Sequence, residues 1–549
     1  MKPGWLAAPV LALLACPSGS APSPVADAGG TVEAGLESGV DAGDATTAVD
    51  WTIALDGTTA PRPLSPALLG HYDLSGALYA YDQVPGLPAA LAPAGFHDWR
   101  VGLGRWESAT QLLPTLTDGS SCAAVLQGLP AQAFAPAGTT DLGLVAARDW
   151  FVDDGNPVTA TNLQDDTRYA LTYVRHALDV AAALGASPYV GIDQMPLAFA
   201  VNRTPSRTNA AWPDACHWTW VNAVSNGPPA AAYLGTDALF AQAVVGMVRR
   251  VVEGSGGEAP RAATYWEIWN EPELAYAWPA SDKNLTTFFT MSIQSLVALD
   301  QYRTQSSSPA AKALHFGLAS FAHASTAVTV IGSLDAASTH VPVDFFSFHS
   351  YSNDPLVIVT DVASVVNARA ASKTYAGAEL SLSEWGPDLS NTLDPTTMDL
   401  PLLVATVLAR AATLGLDRSD HTFFWDYFAG IPWGLVDNTV KPVPLDYAYV
   451  LLAATIGSGS TRLVVGGATD GALDAGNGAV LASRDASGGT HVLLVNRGAT
   501  ARTTRVTVNG AGGTPKRVRV FDSPAAGVAD VAPSQVVMVP AMSVVLVDL

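Results

Sequence analysis

Cysteine, basic residues and long apolar runs are all scarce in this sequence. Its 549 residues include 3 cysteines, and 28 Lys and Arg residues face 49 Asp and Glu residues, which gives a formal net charge of −21. Nucleic acids and anionic membrane surfaces bind proteins through clustered positive charge, and the sequence contains no long basic run. We therefore expect no nucleic-acid partner, and the acidic balance suits a soluble protein that acts on a neutral substrate.

Clusters of metal ligands are lacking as well. The 10 histidines are scattered, and no pair of Cys or His residues has the spacing of a zinc site. A nucleotide-binding open sheet would carry a glycine-rich phosphate turn after its first strand, and none follows the first strand predicted below. These absences predict that the protein uses neither a metal ion nor another cofactor.

The first residues predict export. Lys2 is the only early charge, residues 5–15 are apolar, and Cys16 follows Leu-Leu-Ala. An apolar stretch of about ten residues suits a signal peptide and is too short to cross a bilayer. Leu-Leu-Ala-Cys also resembles the bacterial lipobox, although an ordinary signal peptide with a chance cysteine is the alternative. We predict that residues 1–16 are a signal peptide with a lipobox. The protein would then be a cell-envelope lipoprotein or secreted, and would touch a membrane only through the lipid.

Residues 17–49 are predicted to be a disordered, low-complexity tether. They are mostly Ala, Gly, Ser, Pro, Val, Thr and Asp and contain no aromatic residue, so they cannot bury enough apolar surface to become ordered. Cys122 and Cys216 lie further along the chain. In an exported protein they could form a disulfide, or they could be two buried thiols, and the sequence leaves this open.

Beyond the tether, eight short strand-like runs alternate with Ala- and Leu-rich helical segments. This alternation predicts parallel strands joined by crossover helices. Eight such units within residues 64–456 suit a (β/α)8 TIM barrel with long loops, and a doubly wound open sheet is the alternative. The predicted strands are residues 68–72, 98–103, 188–192, 264–269, 315–320, 345–349, 380–384 and 422–426, and the predicted helices include 167–184, 237–252, 285–302, 357–371, 398–414 and 444–455.

Residues 457–549 have a different pattern, which predicts a C-terminal antiparallel β-sandwich. Short alternating runs such as AVLASRD, HVLLVNR and SVVLVDL are separated by Gly, Asn and Asp. Residues 50–63 precede the barrel and contain the strand-like segment WTIAL. We expect this N-terminal segment to add a strand to the β domain.

Two glutamates close predicted barrel strands. The fourth strand ends in WEIWNEP, which places Asn270 and Glu271 at the barrel mouth, and the seventh ends in LSLSEWG, which places Glu384 there. Burying a charged carboxylate is costly, so an acid at the end of an apolar strand needs an explanation. The reacting residues of a (β/α)8 barrel lie at the carboxyl ends of its strands, where these two acids are predicted. Glu379 is a rival to Glu384, but it opens the seventh strand instead of closing it.

Other strand ends add polar and aromatic side chains around this pair. Arg100, on the second strand, could hold Glu384 ionised because a nearby positive charge favours a carboxylate, or it could form a structural ion pair. Aromatic rings offer apolar faces to sugar rings, and polar side chains can fix sugar hydroxyls. The candidate substrate-binding residues are Asn270, His349, Tyr351, Trp425 and Arg100.

Two carboxyl groups on different strands, ringed by Trp, Tyr, His and Asn, suit retaining glycoside hydrolysis. In that reaction one carboxylic acid protonates the leaving oxygen and later activates water, while the other, ionised, attacks the anomeric carbon. The two groups should lie about 5–5.5 Å apart. The sequence thus predicts a carbohydrate substrate and a double displacement.

These motifs resemble clan A of the glycoside hydrolases and, in finer detail, family 39, which contains beta-xylosidases and alpha-iduronidases. The resemblance is carried by EIWNEPEL, DFFSFHSY, SEWG and FFWDYF followed by WGLVDNTVKPVPLDYAYVLL, and it covers the predicted barrel. It implies hydrolysis of the O-glycosidic bonds of oligo- or polysaccharides. It also implies that Glu271 is the acid/base and Glu384 the nucleophile.

Other functions and several details stay open. A carbohydrate-binding barrel without catalytic activity is the alternative, although binding alone needs no acid/base pair. An aldolase would need a lysine at a strand end, and a metal-dependent hydrolase would need clustered His and Asp; the predicted strand ends show neither. The sugar, its anomer, exo or endo action and the oligomeric state are not determined by the sequence.

Overall fold

The computed structural model describes residues 49–59, 62–73, 86–103, 150–151, 158–193, 196–199, 237–274, 278, 285–388, 393–422, 433–437, 439–466 and 471–549. The predicted signal peptide, nearly all of the tether, all three cysteines and Trp425 lie outside these residues. In the part of the chain that is described, no helix is both long enough and apolar enough to cross a bilayer.

Eight parallel strands close into a barrel in sequence order, so the predicted (β/α)8 fold is confirmed. The first barrel strand pairs with both the second and the eighth, which closes the ring. Strands are numbered from the N-terminus, where β1 (Trp51–Asp56) and β2 (Arg62–Pro63) belong to the β domain. The barrel strands are β3 (Gly70–Asp73), β4 (Asp98–Leu103), β5 (Ser187–Ile192), β6 (Tyr265–Ile268), β7 (His315–Phe321), β8 (Phe345–Tyr351), β9 (Glu379–Gly386) and β10 (Arg418–Thr422).

Local sequence caps two of the longer helices. Asp354 accepts a hydrogen bond from the Leu356 amide (3.0 Å) and Pro355 occupies the first turn, which starts the helix Pro355–Ala371. Gly415, with φ +94°, ends the helix Asp399–Leu414. The α-helices are α1 (Leu87–Leu91), α2 (Thr172–Ala183), α3 (Asp237–Val252), α4 (Thr286–Gln305), α5 (Pro309–Lys312), α6 (Ala324–Ala336), α7 (Pro355–Ala371), α8 (Asp399–Leu414) and α9 (Pro444–Ile456).

The eighth strand differs from the sequence prediction. The strand was predicted at residues 422–426, but β10 has the sequence RSDHT and begins at Arg418. Residues 423–426 of that prediction lie outside the described residues. The base of the barrel is ionic, because buried Arg418 hydrogen bonds to buried Asp98 and lies over the ring of Tyr265, with Cζ 3.7 Å from the ring centroid. A search for apolar runs misses a strand whose inward side chains are charged.

Buried acids in the barrel interior hold their protons more tightly than usual. Burial raises the pKa of Asp98 to about 6, although the nearby Arg418 guanidinium opposes the shift. Burial together with the negative charge of Asp98 raises the pKa of Asp420 well above its usual value. The interior of this barrel is therefore a packed polar network instead of a purely apolar core.

The C-terminal domain has two sheets. The smaller has the order β12-β1-β16-β17 with β20 beside β16, and the larger has the order β19-β18-β21-β15-β14-β11-β2 with β13 beside β14. The N-terminal strand β1 pairs in parallel with β16, so the chain start and the C-terminal domain form one unit. The remaining strands are β11 (Thr461–Arg462), β12 (Val464–Gly466), β13 (Ala472–Leu473), β14 (Gly478–Arg484), β15 (Thr490–Asn496), β16 (Arg502–Val508), β17 (Ala511–Gly512), β18 (Arg517–Phe521), β19 (Ala529–Val531), β20 (Val536–Val539) and β21 (Ser543–Asp548).

The central strands of the larger sheet, β14, β15 and β21, are buried on both faces. Along β15, Val492 and Leu494 pack in the core between the two sheets, whereas Leu493 and Val495 pack in the core shared with the barrel. Alternate residues of a strand point to opposite faces, so a continuous apolar run is expected when both faces are covered. This explains why residues 492–495, VLLV, are apolar throughout.

Asp446, in the first turn of α9, predicts a pH-dependent stability. It is 4% exposed, and burial raises its pKa to about 7. The folded state therefore binds this proton more tightly than the unfolded state, and folding stability falls as pH rises from about 4 to about 7. We expect Asp446→Asn to have little effect near pH 4 and to stabilise the protein at pH 8, by at most about 4 kcal/mol.

Thermal denaturation of the variant and the wild type at both pH values measures this difference. Asp399 lies in the first turn of α8 and is exposed, so Asp399→Asn is the matched control and should show no such pH-dependent gain. A gain of the same size for Asp446→Asn at both pH values would contradict the interpretation.

Candidate active site

The backbone turns sharply where β6 ends. Trp269 has φ +91° and Glu271 has φ +46°, conformations that non-glycine residues rarely adopt. Hydrogen bonds to both neighbouring strands hold the turn, because the Trp269 amide donates to the Ile192 carbonyl (2.9 Å) and the Glu271 amide donates to the Ser320 carbonyl (2.6 Å). Strained residues of this kind persist only where surrounding contacts fix them, and they concentrate at functional sites.

His349 connects the fourth and sixth barrel strands at the mouth. Its Nδ1 lies 2.7 Å from Glu271 Oε1, and its Nε2 lies 2.9 Å from Ser320 Oγ. The same Nε2 lies 3.5 Å from Glu384 Oε1. A neutral imidazole carries one proton and can place it on either nitrogen. The ring can therefore accept a hydrogen bond from a protonated Glu271 or donate one to its carboxylate.

Glu384 lies near the end of β9 and is held by two donors. Arg100 Nη1 donates to its Oε1 (2.7 Å), and the Tyr351 hydroxyl donates to its Oε2 (3.0 Å). The pairing of β8 with β9 slips by one residue after Phe348, so that Glu384, not Ser383, is paired with His349. Such irregularities re-aim side chains at a site.

Glu271 and Glu384 thus face each other at the barrel mouth. One oxygen of each carboxyl group and a ring nitrogen of His349 all lie within 4.8 Å of one another. Glu271 is 6% exposed and Glu384 is 2% exposed. The short separation suits two carboxyl groups that act on the same atom. The same three side chains are also able to ligate a metal ion.

Arg100 is the centre of the charge network below the pair. Its Nη2 donates to Asn270 Oδ1 (3.0 Å) and to Glu267 Oε2 (3.1 Å) and lies 3.4 Å from Asp193 Oδ1. Burial raises the pKa of Glu267 to about 7, and the positive charge of Arg100 opposes that shift. One buried cation is therefore shared among several carboxyl groups.

A further carboxyl group lies beside the catalytic candidates. Glu273 Oε1 accepts a hydrogen bond from the His323 amide (3.2 Å). Burial raises the pKa of Glu273 to about 7, and the negative charge of Glu271 contributes to the shift. The stretch NEPEL therefore brings two acids to the same rim.

The structure brings together six of the seven residues that the sequence singled out. Glu271, Glu384, Asn270, His349, Tyr351 and Arg100 form one contiguous network, and Trp425 lies outside the described residues. Glu379 opens β9 at the opposite end of the strand, where it accepts a hydrogen bond from the Tyr265 hydroxyl (3.0 Å).

Sequence reasoning missed several residues of this network. Glu267 lies within WEIWNEPEL itself, and Asp193 follows the third barrel strand in GIDQMP. A charged residue inside an apolar strand was the available signal for Glu267. Its partner Arg100 comes from a strand distant in sequence, so the contact itself could not be foreseen. Four further residues carried no comparable signal: Ser320 beside His349, Ser347 beside Glu267, Tyr72 beside Asp193 and Thr422 beside Tyr351.

No family model and no curated protein matches the sequence. Solved structures match the fold. A glucosidase from Croceicoccus marinus is 16% identical with a TM-score of 0.59, over 92% of this chain and 99% of that chain. A GH39 beta-xylosidase from Caulobacter crescentus is 17% identical with a TM-score of 0.55, over 91% and 99%. A GH51 arabinofuranosidase from Xanthomonas axonopodis pv. citri is 13% identical with a TM-score of 0.53, over 91% and 100%.

At such identities the likeness establishes the fold. The chain has the barrel and C-terminal β domain of these glycoside hydrolases, and the resemblance to clan A and family 39 is confirmed at that level. A fold alone does not fix an activity. The residues of the site must carry the functional argument.

The burial of Arg100 predicts a large loss of stability when its charge is removed. Arg100→Met would leave carboxyl groups uncompensated in the barrel, which costs about 3–5 kcal/mol. The loss should be greater at pH 8 than at pH 5, because buried acids such as Glu267 can take up protons at the lower pH. Thermal or denaturant unfolding at the two pH values measures both effects.

Arg303 provides the matched control. It also makes two ion pairs, with Asp300 (2.7 Å) and Asp344 (2.6 Å), but its side chain is 20% exposed. Arg303→Met should cost only about 1 kcal/mol, since partly solvated pairs contribute little. Equal losses for the two variants would show that the buried network does not depend on Arg100.

Proposed function

We propose that this protein is a retaining glycoside hydrolase that cleaves O-glycosidic bonds of oligo- or polysaccharides. The observation that carries the proposal is the pair Glu271 and Glu384 at the barrel mouth, with carboxylate oxygens within 4.8 Å of each other. A retaining enzyme needs its two carboxyl groups about 5–5.5 Å apart, whereas an inverting enzyme needs about 6.5–9.5 Å to admit a water molecule.

In the first step, Glu384 attacks the anomeric carbon and Glu271 protonates the departing oxygen. Glu384 is suited to be the nucleophile because Arg100 and Tyr351 both donate hydrogen bonds to its oxygens, which favours its ionised form. The bond from the anomeric carbon to the leaving oxygen breaks as the ester bond to Glu384 forms. The proton moves from Glu271 to the leaving group.

In the second step, Glu271 acts as a base. It takes a proton from a water molecule as the water oxygen attacks the anomeric carbon, and the ester bond to Glu384 breaks. His349 contacts Glu271 and can either donate or accept a hydrogen bond, so it suits both protonation states. Two inversions at one carbon leave the product with the configuration of the substrate.

Asn270 is proposed to bind a sugar hydroxyl. Its Oδ1 accepts from Arg100 Nη2 (3.0 Å), which fixes the orientation of the amide. The Nδ2 group is then oriented as a donor. Trp425, although outside the described residues, is retained as a candidate sugar platform from the sequence.

The substrate is proposed to be a neutral carbohydrate met outside the cytoplasm. The chain is acidic overall, and its first residues resemble an export signal. The glycosidases of similar fold include a glucosidase, a beta-xylosidase and an arabinofuranosidase. Aryl glucosides, xylosides and arabinofuranosides in both anomeric forms are therefore the substrates to screen first.

Removal of the nucleophile gives the sharpest test. Glu384→Gly should lose nearly all activity, at least about 10⁴-fold, because no covalent intermediate can form. Added azide should partly restore turnover by entering the vacated space, and the glycosyl azide should have the inverted configuration. Product analysis by NMR distinguishes the anomers.

The acid/base variant is the matched comparison. Glu271→Ala should still react with an aryl glycoside whose leaving group needs no protonation, and azide should then accelerate release with retained configuration. A 2-fluoro sugar should label Glu384 in the wild type. A label on another residue, or inversion by the wild type, would overturn the mechanism.

Activity without a metal distinguishes this mechanism from metal-assisted hydrolysis at Glu271, His349 and Glu384. EDTA should leave the rate unchanged, since both steps use carboxyl groups alone. Binding of oligosaccharides without turnover across the glycoside panel would instead favour a carbohydrate-binding barrel.

A further inference from the structure

We propose that Asp193 is a positioning residue that fixes the Arg100 guanidinium against the nucleophile Glu384. This inference rests on the proposed function. It assigns a role to a carboxyl group that touches neither the substrate nor the reacting atoms. Asp193 follows β5, and its backbone amide donates to the Leu103 carbonyl of β4 (3.0 Å), so its position is tied to the strand that carries Arg100.

The carboxylate of Asp193 is fully enclosed. Its side chain is 0% exposed, Oδ1 lies 3.4 Å from Arg100 Nη2, and Oδ2 accepts a hydrogen bond from the Tyr72 hydroxyl (3.3 Å). Tyr72 also lies beside Arg100, whose Cζ is 4.5 Å from the centroid of the tyrosine ring. Asp193 and Tyr72 therefore form one face of the guanidinium site.

Two glycines make the space for this carboxylate. A Cβ atom on Gly102 would lie 2.4 Å from Asp193 Oδ2, and a Cβ on Gly191 would lie 2.3 Å from Asp193 Oδ1. Neither glycine has a positive φ, so both are explained by space and not by backbone conformation. Any larger residue at either position would displace the carboxylate.

The guanidinium has two ends with different tasks. Nη1 donates to Glu384, while Nη2 is shared by Asp193, Glu267 and Asn270. A planar guanidinium transmits its orientation from one end to the other. Contacts at Nη2 therefore decide whether Nη1 reaches the nucleophile.

Titratable and charged groups from several barrel strands surround Arg100 and Glu384. Those facing Arg100 are Tyr72 of β3, Tyr189 of β5, Asp193 after it, Glu267 of β6, Glu384 of β9 and Asp420 of β10. Those facing Glu384 from the other side are His349 and Tyr351 of β8 and Glu271 after β6. Water screens few of these charges, because nearly all of the side chains are buried.

Asp193→Ala and Asp193→Asn separate positioning from charge. Alanine removes the anchor, whereas asparagine keeps an oxygen for Arg100 Nη2 and presents an amide to the Tyr72 hydroxyl. We expect kcat/KM to fall about 10–100-fold in Asp193→Ala, because small displacements of catalytic groups cost about that much. Asp193→Asn should stay within about 3-fold of the wild type, since both contacts are preserved.

The pH dependence of kcat/KM distinguishes positioning from a merely structural role, which would leave that dependence unchanged. Without the guanidinium in place Glu384 is less readily ionised, so the acid limb of kcat/KM should move to higher pH in Asp193→Ala but not in Asp193→Asn. A purely electrostatic role would move the limb to lower pH in both variants, because a negative charge is lost in both. That outcome would overturn the proposal.

Gly102→Ala gives an independent test that keeps every charge, because a Cβ there would meet Asp193 Oδ2 and the Tyr72 hydroxyl but no atom of Arg100 within 3.5 Å. The added methyl group should displace the Asp193 carboxylate and reproduce the lower kcat/KM and the shifted acid limb. Asp446→Asn, which alters a buried acid with no described contact to Arg100, is the control and should show wild-type kinetics. Wild-type kinetics in both Asp193→Ala and Gly102→Ala would refute the positioning role.

A crystal structure of Asp193→Ala keeps this test separate from the proposed function. The distance from Arg100 Nη1 to Glu384 Oε1 should lengthen from 2.7 Å, whether or not a substrate is known. An unchanged distance would overturn the inference even if the wild type is a retaining glycosidase. Conversely, a wild type that hydrolyses no glycoside would refute the proposed function. The Arg100–Glu384 distance in the crystal structure would still test the role of Asp193.

Discussion

The site depends on one buried cation. Arg100 is 0% exposed, and its guanidinium contacts Asp193, Glu267, Asn270 and Glu384. A buried ion pair is not stabilising by default, since desolvation opposes the Coulomb attraction. Its effect here is geometric, because ligands from the third, fourth and seventh barrel strands converge on one planar group. Its positive charge offsets the negative charges of the three buried carboxylates that it contacts, Asp193, Glu267 and Glu384.

The strained turn after β6 adds the second constraint. Positive φ values at Trp269 and Glu271 cost free energy, of order 1–3 kcal/mol each. Hydrogen bonds to β5 and β7 offset part of this cost, as does the packing of Trp269 against Trp278 at a centroid distance of 5.2 Å. A regular strand would direct Asn270 and Glu271 to opposite faces. The turn instead allows both to reach the same site.

Apolar periodicity was sufficient to predict the architecture, and short motifs were sufficient to predict the acids at the mouth. The sequence predicts the helix at 237–252 with the bounds that the structure gives, because its apolar face and the following Gly254 leave little ambiguity. It misplaces the start of β10, where buried charged residues replace apolar ones. It fails again at Asp193 and Glu267, because their roles depend on contacts with Arg100 on a distant part of the chain. Such contacts depend on barrel closure, which no local pattern encodes.

The two glutamates differ in their surroundings, and this difference is the physical basis for their proposed roles. Glu384 accepts hydrogen bonds from a guanidinium and a phenol, and such donors favour the ionised carboxylate. Glu271 faces the imidazole of His349, which can donate or accept. An acid/base must gain and lose a proton in each cycle, so it requires a partner that tolerates both states. A nucleophile must stay ionised until it attacks, so it requires partners that donate hydrogen bonds to its carboxylate.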